Sequence, residues 1–409
     1  MHKYDLVVVG GGIAGVSAAV SAAREGLSVI IIEKFGCLGG ALSNSLVYPF
    51  TRFRTLGPMK KTINGGIFTE IRERHAQYGD LSWETFKFVF DDMVEEAGVD
   101  VLFHSTVYKA DSIERNIKKI YVATKSGTIE IEANFFVDAS GDGELIAMTG
   151  CDYQLGREQD NFCQPMTTCF RIGGVDVELF QEELPELQEK YKLLREQGEI
   201  KNPRENILVF FGLGKDIVHF NTTRVIKHNP VDAFEVSKAE MLARKQVYEV
   251  FSFLKNNSLA CKDASIIDIA GHIGVRESRK LKGAHILTAD ELINFANYDD
   301  IVALGNYDID IHNPVGTGTT IYKIRDDKYY RIPYRSLLPK EYDNMLVAGR
   351  CVSATHEAHS SVRVMPICAS MGEAVGKAIA VANETGKNVH TLNIDLVKDK
   401  LINAGAAIE

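Results

Sequence analysis

Three glycines and one glutamate near the N-terminus have the types and spacing that bind a dinucleotide. An apolar strand, residues 4–9, runs into Gly10, Gly12 and Gly15, and a helix of small residues follows at once. Gly10 permits the tight turn, Gly12 lets the backbone approach a pyrophosphate at the helix N-terminus, and Gly15 allows close packing. A second strand ends at Glu33, where a carboxylate accepts hydrogen bonds from the adenosine ribose. This unit predicts NAD or FAD and does not choose between them.

Arginines and histidines in glycine-bounded loops are the candidates for reaction chemistry. Arg276 can anchor an anionic or polar substrate bidentately, and an ion pair with neighbouring Glu277 is an equal alternative. His312 ends an apolar strand; a histidine there either relays a proton near neutral pH or caps a loop. We predict that the catalytic residues are His312, Arg276, His356 and Arg335. The further candidates are His272, His359, Tyr334, Arg279 and Arg363.

The composition is typical of a soluble enzyme with two domains. The chain has 409 residues, more than one compact core holds, and 45% of them are hydrophobic. A net charge of −9 argues against a general nucleic-acid binder. We expect no membrane span, because no apolar run approaches the required length. Seven cysteines without a CxxC pair disfavour a disulfide framework, a zinc site and a dithiol relay, so we expect a cytoplasmic protein without metal.

Later segments decide between the two dinucleotides. A second glycine-rich turn lies at 34–43, strands at 135–143 and 344–350 end in small residues, and 361–366 leads into the small-residue helix 367–383. In this order the segments resemble the FAD-dependent oxidoreductases of the glutathione-reductase type of fold, near the succinate dehydrogenase and fumarate reductase flavoproteins. Motifs of one broad bacterial group of such proteins also occur at 274–279, 308–314 and 332–335. The resemblance implies FAD and redox chemistry, and it implies almost nothing about the substrate.

The resemblance also implies which residues contact the cofactor. It gives Gly10, Gly12 and Gly15 to the pyrophosphate, Glu33 and Lys34 to the adenosine end, Val107 to the adenine, Ala139, Gly141 and Asp142 to the ribityl and phosphate region, Gly39, Gly40 and Ala41 to the isoalloxazine, and Gly349, Arg350, Arg363 and Pro366 to the C-terminal side. Relatives with covalent FAD carry a histidine in the turn after Glu33. Here none lies between Glu33 and Ser43, which implies non-covalent FAD and makes Cys37 a packed thiol.

We therefore predict an α/β fold: a Rossmann-like FAD-binding domain of the glutathione-reductase type with an inserted α+β substrate domain. The FAD-binding domain takes 1–50, 95–155 and 331–385, the substrate or cap domain takes 51–94 and 156–330, and a C-terminal helix and tail take 386–409. Residues 106–132 are expected to form a small antiparallel insertion. The helix 367–383 is expected to pack on the first helix through Gly372 and Gly376.

The predicted function is that of an FAD-dependent oxidoreductase that transfers hydride between non-covalent flavin and a polar small molecule. No second GxGxxG follows a strand, so one dinucleotide is expected and the second partner is an external electron acceptor or donor. One alternative is a protein that binds FAD or NAD without net redox turnover, such as an isomerase or lyase-like enzyme. Another is a tRNA-modifying flavoprotein, which the acidic balance disfavours. Substrate, direction of electron flow and oligomeric state stay open.

Overall fold

Short strands and longer helices alternate along the chain, which the computed structural model describes at residues 2–57, 60–79 and 82–408. The strands are β1 (His2–Val9), β2 (Val29–Ile32), β3 (Asp100–Leu102), β4 (Thr106–Ile113), β5 (Asn116–Thr124), β6 (Gly127–Asp138), β7 (Tyr153–Leu155), β8 (Phe170–Gly173), β9 (Val209–Phe210), β10 (Val218–Phe220), β11 (Ser265–Ile269), β12 (Arg279–Leu281), β13 (Ile301–Gly305), β14 (Ile309–His312), β15 (Thr319–Tyr322), β16 (Tyr330–Pro333) and β17 (Met345–Val347). The helices are α1 (Ile13–Ala23), α2 (Ala41–Asn44), α3 (Gly66–Gln77), α4 (Phe86–Glu96), α5 (Glu144–Thr149), α6 (Val177–Glu196), α7 (Ala233–Asn257), α8 (Ala289–Ile293), α9 (His356–Val362), α10 (Met365–Thr385) and α11 (Ile394–Asn403).

The nucleotide motif sits on a seven-stranded sheet with the order β3-β2-β1-β6-β5-β4, in which β17 also pairs with β6. Strands β3, β2, β1, β6 and β17 are parallel along this path, and Val9 pairs with both Ile32 and Asp138. The apolar runs of β1 and β2 are buried on both faces of the sheet. One face packs with α1, α4 and α10, and the other packs with β4, β5 and α5. In consequence the carboxyl ends of β2, β1, β6 and β17 meet at one edge, as the predicted Rossmann-like topology requires.

Helix α10 packs closely on α1, as the small-residue pattern predicted. A Cβ added at Gly372 would lie 2.1 Å from the backbone oxygen of Ala14, and one at Gly376 would lie 2.4 Å from that of Ala18. Helix α10 is long and apolar enough to cross a membrane by length and composition, but 94% of its most apolar stretch is buried. Among the described residues no other helix meets that test, and burial makes α10 the core helix of this sheet.

A second, four-stranded antiparallel sheet, with the order β11-β8-β10-β9, forms a separate core with α6 and α7. The predicted antiparallel insertion is also present, as β4, β5 and the first half of β6. Helices α3 and α4 belong to the core of the seven-stranded sheet, where Phe68 and Phe90 are fully buried. That part of 51–94 therefore packs in the core of the nucleotide sheet, and the domain boundaries themselves remain a prediction.

Candidate active site

A groove with an empty volume of about 1000 Å³ crosses the carboxyl edge of the seven-stranded sheet. Its lining follows the spatial order of the strands, from Glu33 after β2 through Gly10 after β1 and Ala139 after β6 to Gly349 after β17. Open α/β sheets bind their ligands at this edge. Every residue that the sequence assigned to the cofactor lines the groove except Gly15 and Pro366. Their roles in binding remain predictions, but the structure brings them together.

Glu33 lies at one end of the groove and is only 4% exposed. Its Oε2 accepts a hydrogen bond from the Gly11 N–H at 2.7 Å, and its Oε1 accepts one from the Phe35 N–H at 2.8 Å. A carboxylate has about four acceptor positions, so acceptor capacity remains for ribose hydroxyls. Val107 and the preceding Ser105 line the same end. This end of the groove therefore offers a carboxylate acceptor for ribose hydroxyls, with Val107 and Ser105 beside it.

The glycine turn beside it combines close packing with open space. A Cβ at Gly15 would lie 1.9 Å from the Gly10 oxygen, which explains why only glycine fits there. A Cβ at Gly12 would meet nothing nearer than the Gly40 Cα at 3.8 Å and would instead occupy the groove. Helix α1 begins here without a side-chain cap, so its first N–H groups and its positive dipole end are available to phosphate.

Asp142, Arg350 and Lys34 form a charged centre in the middle of the groove. Asp142 Oδ1 accepts hydrogen bonds from Arg350 Nη2 at 3.1 Å and from Ser278 Oγ at 2.9 Å. Burial would raise the pKa of the Asp142 carboxyl, but Arg350 and Lys34 hold it below its usual value. Lys34 Nζ donates to Glu144 at 2.9 Å. The buried Nη1 of Arg350 has no partner among the described residues, so an acceptor is missing here.

Arg363 lines the groove next to the start of α10. Its Nη2 lies 3.5 Å from Gln164 Oε1, and its buried Nε has no partner in the described part of the chain. Met365 and Cys368 complete this wall. Along the groove the order is thus a ribose acceptor, a phosphate cradle, ribityl partners and a cationic end. The order matches that of the parts of FAD, so the residues fit the predicted cofactor.

Arg276 and His312 lie behind this end, outside the lining of the groove. Arg276 Nη1 donates to the Pro165 oxygen at 2.7 Å and to Thr167 Oγ1. Burial and the charges of Arg363, Arg204 and Arg224 together lower the pKa of Arg276 to about 9, against the opposing charge of Asp310. The acceptors of its described hydrogen bonds are all neutral.

Both ring nitrogens of His312 already face partners. Nε2 lies 3.3 Å from Asp310 Oδ2, while Nδ1 lies 3.3 Å from Arg224 Nη2 and 3.2 Å from Thr319 Oγ1. Burial, followed by the charge of Arg276, lowers the pKa of His312 to about 3. The imidazole is therefore neutral at pH 7, and this environment is unlike that of the acid–base histidine that the sequence predicted.

The other two predicted catalytic residues also lie outside the groove. His356 Nδ1 lies 2.7 Å from Glu277, which also contacts Lys280. Burial would raise the pKa of the Glu277 carboxyl, but His356 and Lys280 lower it to about 2. Arg335 is half exposed and pairs with Asp300 at 3.0 Å. Glu277 thus pairs with His356 and Lys280 and not with Arg276, and Arg335 is held by Asp300.

Several groove residues were not predicted as cofactor contacts. They are Ile13, Ala14, Ile32, Phe35, Asn44, Ser45, Ser105, Thr106, Ser140, Glu144, His272, Val275, Met365 and Cys368, together with Val9. Eight of them directly flank a residue that was predicted to contact the cofactor, so adjacency to the motifs is the signal that would have found these eight. His272 was considered only as a loop histidine, and nothing in its local sequence distinguishes it from the others. Arg204 and Arg224 carry no motif at all.

Comparison with known proteins supports this geometry. The family model described as "FAD dependent oxidoreductase" matches residues 5–401. Digeranylgeranylglycerophospholipid reductase 2 of Methanothermobacter thermautotrophicus is 28% identical over 46% of this chain and 50% of its own length. Glutathione reductase of Debaryomyces hansenii is 29% identical over 36% of this chain and 28% of its own length. The chain thus aligns with half or less of these relatives.

Solved structures share the fold at low sequence identity. BexE, studied for oxidation during BE-7585A biosynthesis, superposes with a TM-score of 0.50 and 11% identity over 98% of this chain and 66% of its own. A geranylgeranyl bacteriochlorophyll reductase-like protein of Thermoplasma acidophilum gives a TM-score of 0.47 and 14% identity over 99% of this chain and 85% of its own. At such identities the BexE match shows the fold alone.

Proposed function

Because the chain belongs to the family of FAD dependent oxidoreductases, we propose that it transfers hydride between non-covalently held FAD and a polar small molecule. The observation that carries the proposal is the continuous groove from Glu33 to Arg363, whose donors and acceptors follow the order of the parts of FAD. Bound FAD supplies the two-electron chemistry, and the protein supplies binding, orientation and electrostatics. Glu33, Gly12 and Asp142 hold the cofactor, and the residues beside Arg363 receive the substrate.

His272 is the proton donor or acceptor in this proposal. Among the candidate histidines it is the one that lines the groove; His312, His356 and His359 do not. Its Nδ1 lies 3.6 Å from Glu240 Oε1, and its ring packs 5.0 Å from that of Phe35. Burial would raise the pKa of Glu240, but a hydrogen bond with His272 lowers it. Glu240 therefore stays ionised and orients the ring, while Nε2 is left for the substrate.

His312 acts indirectly in this reading, because its ring connects Asp310 to Arg224 and the residue does not line the groove. It holds the side chains next to Arg276 in place. The sequence-based role of His312 in proton transfer stays a prediction, and it is tested beside that of His272.

The test begins with the cofactor. The purified protein is expected to be yellow, to release FAD into the supernatant on acid or heat treatment, and to take up two electrons per flavin from dithionite under anaerobic conditions. Flavin that stays with the denatured chain contradicts non-covalent binding. A flavin that no hydroxy acid, amino acid, alkene or similar polar compound reduces, and whose reduced form none of them reoxidises, contradicts the proposed reaction.

With a substrate that bleaches the flavin, stopped-flow reduction separates the histidines. His272→Asn should leave the flavin spectrum unchanged and slow reduction by about 10²- to 10⁴-fold, the usual contribution of a positioned acid or base. His285→Asn is the matched control, because His285 also pairs with a glutamate, Glu291 at 3.0 Å, but lies outside the groove. Slowing in His312→Asn and not in His272→Asn would return the role to His312.

A further inference from the structure

We propose that Arg363, at the cationic end of the groove, and Arg276 behind it bind an oxyanionic group, a carboxylate or a phosphate, of the substrate, while the buried Arg204 and Arg224 raise the local potential. These residues, here named the arginine cluster, are Arg204, Arg224, Arg276 and Arg363. The inference rests on the proposed function, since it gives the substrate of that reaction a chemical class. The sequence predicted Arg276 as an anchor for an anionic or polar substrate and Arg363 as a cofactor contact, but it predicted no role for Arg204 or Arg224.

The arginine cluster carries more positive charge than its surroundings neutralise. The carboxylates that influence it are Asp310 and Glu205. Asp310 is already held by the Tyr307 hydroxyl at 2.9 Å and by His312, and Glu205 lies 3.5 Å from Arg224. In the described part of the chain, the four guanidinium groups thus outnumber the two carboxylates that most influence them. His312 adds no charge, because burial keeps its pKa far below neutrality.

Arg276 is the member with the least compensation. Its described hydrogen bonds go to the Pro165 oxygen, to Thr167 Oγ1 and, at 3.5 Å, to Asn221 Oδ1, all of them neutral acceptors. Taking a charge out of water without an ionic partner costs several kcal/mol. A guanidinium also presents planar, paired N–H groups that match an oxyanion. An oxyanion beside Arg276 would therefore offset a cost that the protein alone leaves uncompensated.

Unpartnered donors at the same place indicate a missing acceptor. Gln164 is 1% exposed; its Oε1 accepts from the His312 N–H at 3.3 Å and lies 3.5 Å from Arg363 Nη2. Its buried Nε2, and the buried Nε of Arg363, have no partner among the described residues. Buried donors are normally satisfied, and each one left unpaired costs about 1 to 3 kcal/mol. Two such donors beside excess positive charge are the pattern of an anion site.

The position of the cluster separates it from the phosphates of FAD. The phosphate cradle lies after β1, at Gly10 and Gly12, whereas Arg363 lies in the turn between α9 and α10 and Arg276 lies in the segment before β12. Arg363 and Arg276 are partly exposed, while Arg204 and Arg224 are 7% and 1% exposed. The two partly exposed arginines therefore contact the anion, and the two buried ones raise the local potential.

Asn221 and Thr167 show which side of the molecule provides the rest of the site. Both contact Arg276, and they lie directly beyond β10 and before β8 of the four-stranded sheet. Arg363 comes from the nucleotide half, between α9 and α10. The anion is thus placed between the two halves of the molecule, beside the end of the groove where hydride transfer is proposed.

The experiment titrates the flavin-loaded protein with malonate, inorganic phosphate and malonamide at constant ionic strength. Binding is read from the flavin difference spectrum and from isothermal calorimetry. Malonate or phosphate is expected to bind, and the neutral malonamide is not. Tighter binding of malonate would indicate that the substrate carries a carboxylate, and tighter binding of phosphate would indicate that it carries a phosphate. Arg276→Gln should weaken that binding about ten- to hundredfold, the effect of losing charge-assisted hydrogen bonds. Arg276→Lys keeps the positive charge but loses the paired N–H groups of the guanidinium. Its affinity for the anion should therefore lie between those of the wild type and Arg276→Gln.

Arg157→Gln is the matched control, since Arg157 is bidentate to Asp160 and lies outside the cluster. Failure of both anions to bind the wild-type protein, or equal affinity in wild type and Arg276→Gln, overturns the proposal. A folded sample is recognised by its flavin content, and Arg276→Lys serves if Arg276→Gln does not fold. Anion binding without any substrate-dependent reduction would refute the proposed function and leave the anion site standing.

Discussion

Glu373 is a carboxyl group buried behind the groove, in α10, and is 2% exposed. Its Oε2 accepts the Ile67 N–H at 3.2 Å at the start of α3. Burial raises its pKa to about 7. The charge of Glu70 adds to this rise, and the charges of Lys377 and Arg24 oppose it. Such a group binds a proton more tightly in the folded chain than in the unfolded one. It therefore couples the packing of α3 on α10 to pH.

The sign follows from linkage. Stability from a carboxyl with a raised pKa is fully present below its unfolded pKa of about 4.5 and is lost as pH rises through its folded value of about 7. Glu373→Gln, which cannot ionise, should therefore become more stable relative to wild type between pH 5 and 8, by up to about 3 kcal/mol. Urea midpoints of both proteins across this range measure the difference. A difference that does not change with pH contradicts the assignment.

Individual cofactor residues were predictable because each belongs to a local motif. Gly12 and Glu33 belong to one βαβ unit, so a short stretch of sequence was enough to place them in one groove. Arg276 and His312 had no such unit, and their surroundings depend on Arg224 and Arg363, which are distant in sequence. Periodicity and spacing report neighbours along the chain and cannot report which distant charges will meet.

At the scale of elements, the contact between α1 and α10 holds the start of the phosphate cradle in place. The first turn of α1 bears Ala14, whose oxygen would lie 2.1 Å from a Cβ at Gly372. The glycine spacing predicted this contact because positions four apart share one helix face. For α3 and α4, the sequence did not show which sheet their apolar faces would cover.

Gly376→Ala should destabilise the protein by about 1 to 3 kcal/mol, because the added methyl group meets the Ala18 backbone and over-packed cores lose that much. The strain should also weaken flavin retention, since α1 carries the cradle. Thermal unfolding and flavin content after dialysis measure both effects. Gly271→Ala, where an added Cβ meets nothing within 4 Å, should change neither. Equal stability and equal flavin retention in the two variants would mean that α1 and α10 can move apart to accept the methyl group without cost.

On the scale of the whole molecule, the groove crosses the edge of four strands, and its ends draw on residues more than 300 positions apart in sequence, from Glu33 to Arg363. The fold class was predictable because the order of motifs along the chain specifies the order of strands in this architecture. The cationic end was not, because it joins loops of the four-stranded sheet to the turn before α10. Such a site forms only when the two halves have packed.

A ligand that spans the groove should stabilise the protein more than one that fills part of it. Protein freed of flavin should gain about 2.7 kcal/mol when FAD is present at a hundred times its dissociation constant. FMN lacks the adenosine and cannot reach Glu33, so at the same concentration it should raise the unfolding midpoint less. Glu33→Ala should lower the affinity for FAD about ten- to hundredfold and largely remove this preference over FMN.

The comparison of Glu33→Ala with wild type also separates binding from folding. Glu33 accepts the N–H groups of Gly11 and Phe35, so the variant should be less stable even without a ligand, and only the ligand-dependent part of the midpoint reports the ribose contact. Glu189→Ala, at an exposed position of α6, is the control and should bind both flavins as wild type does. Equal stabilisation of the wild-type protein by FAD and FMN would mean that the adenosine end of the groove is not used, because a dinucleotide that gains nothing from its second half is bound as a mononucleotide.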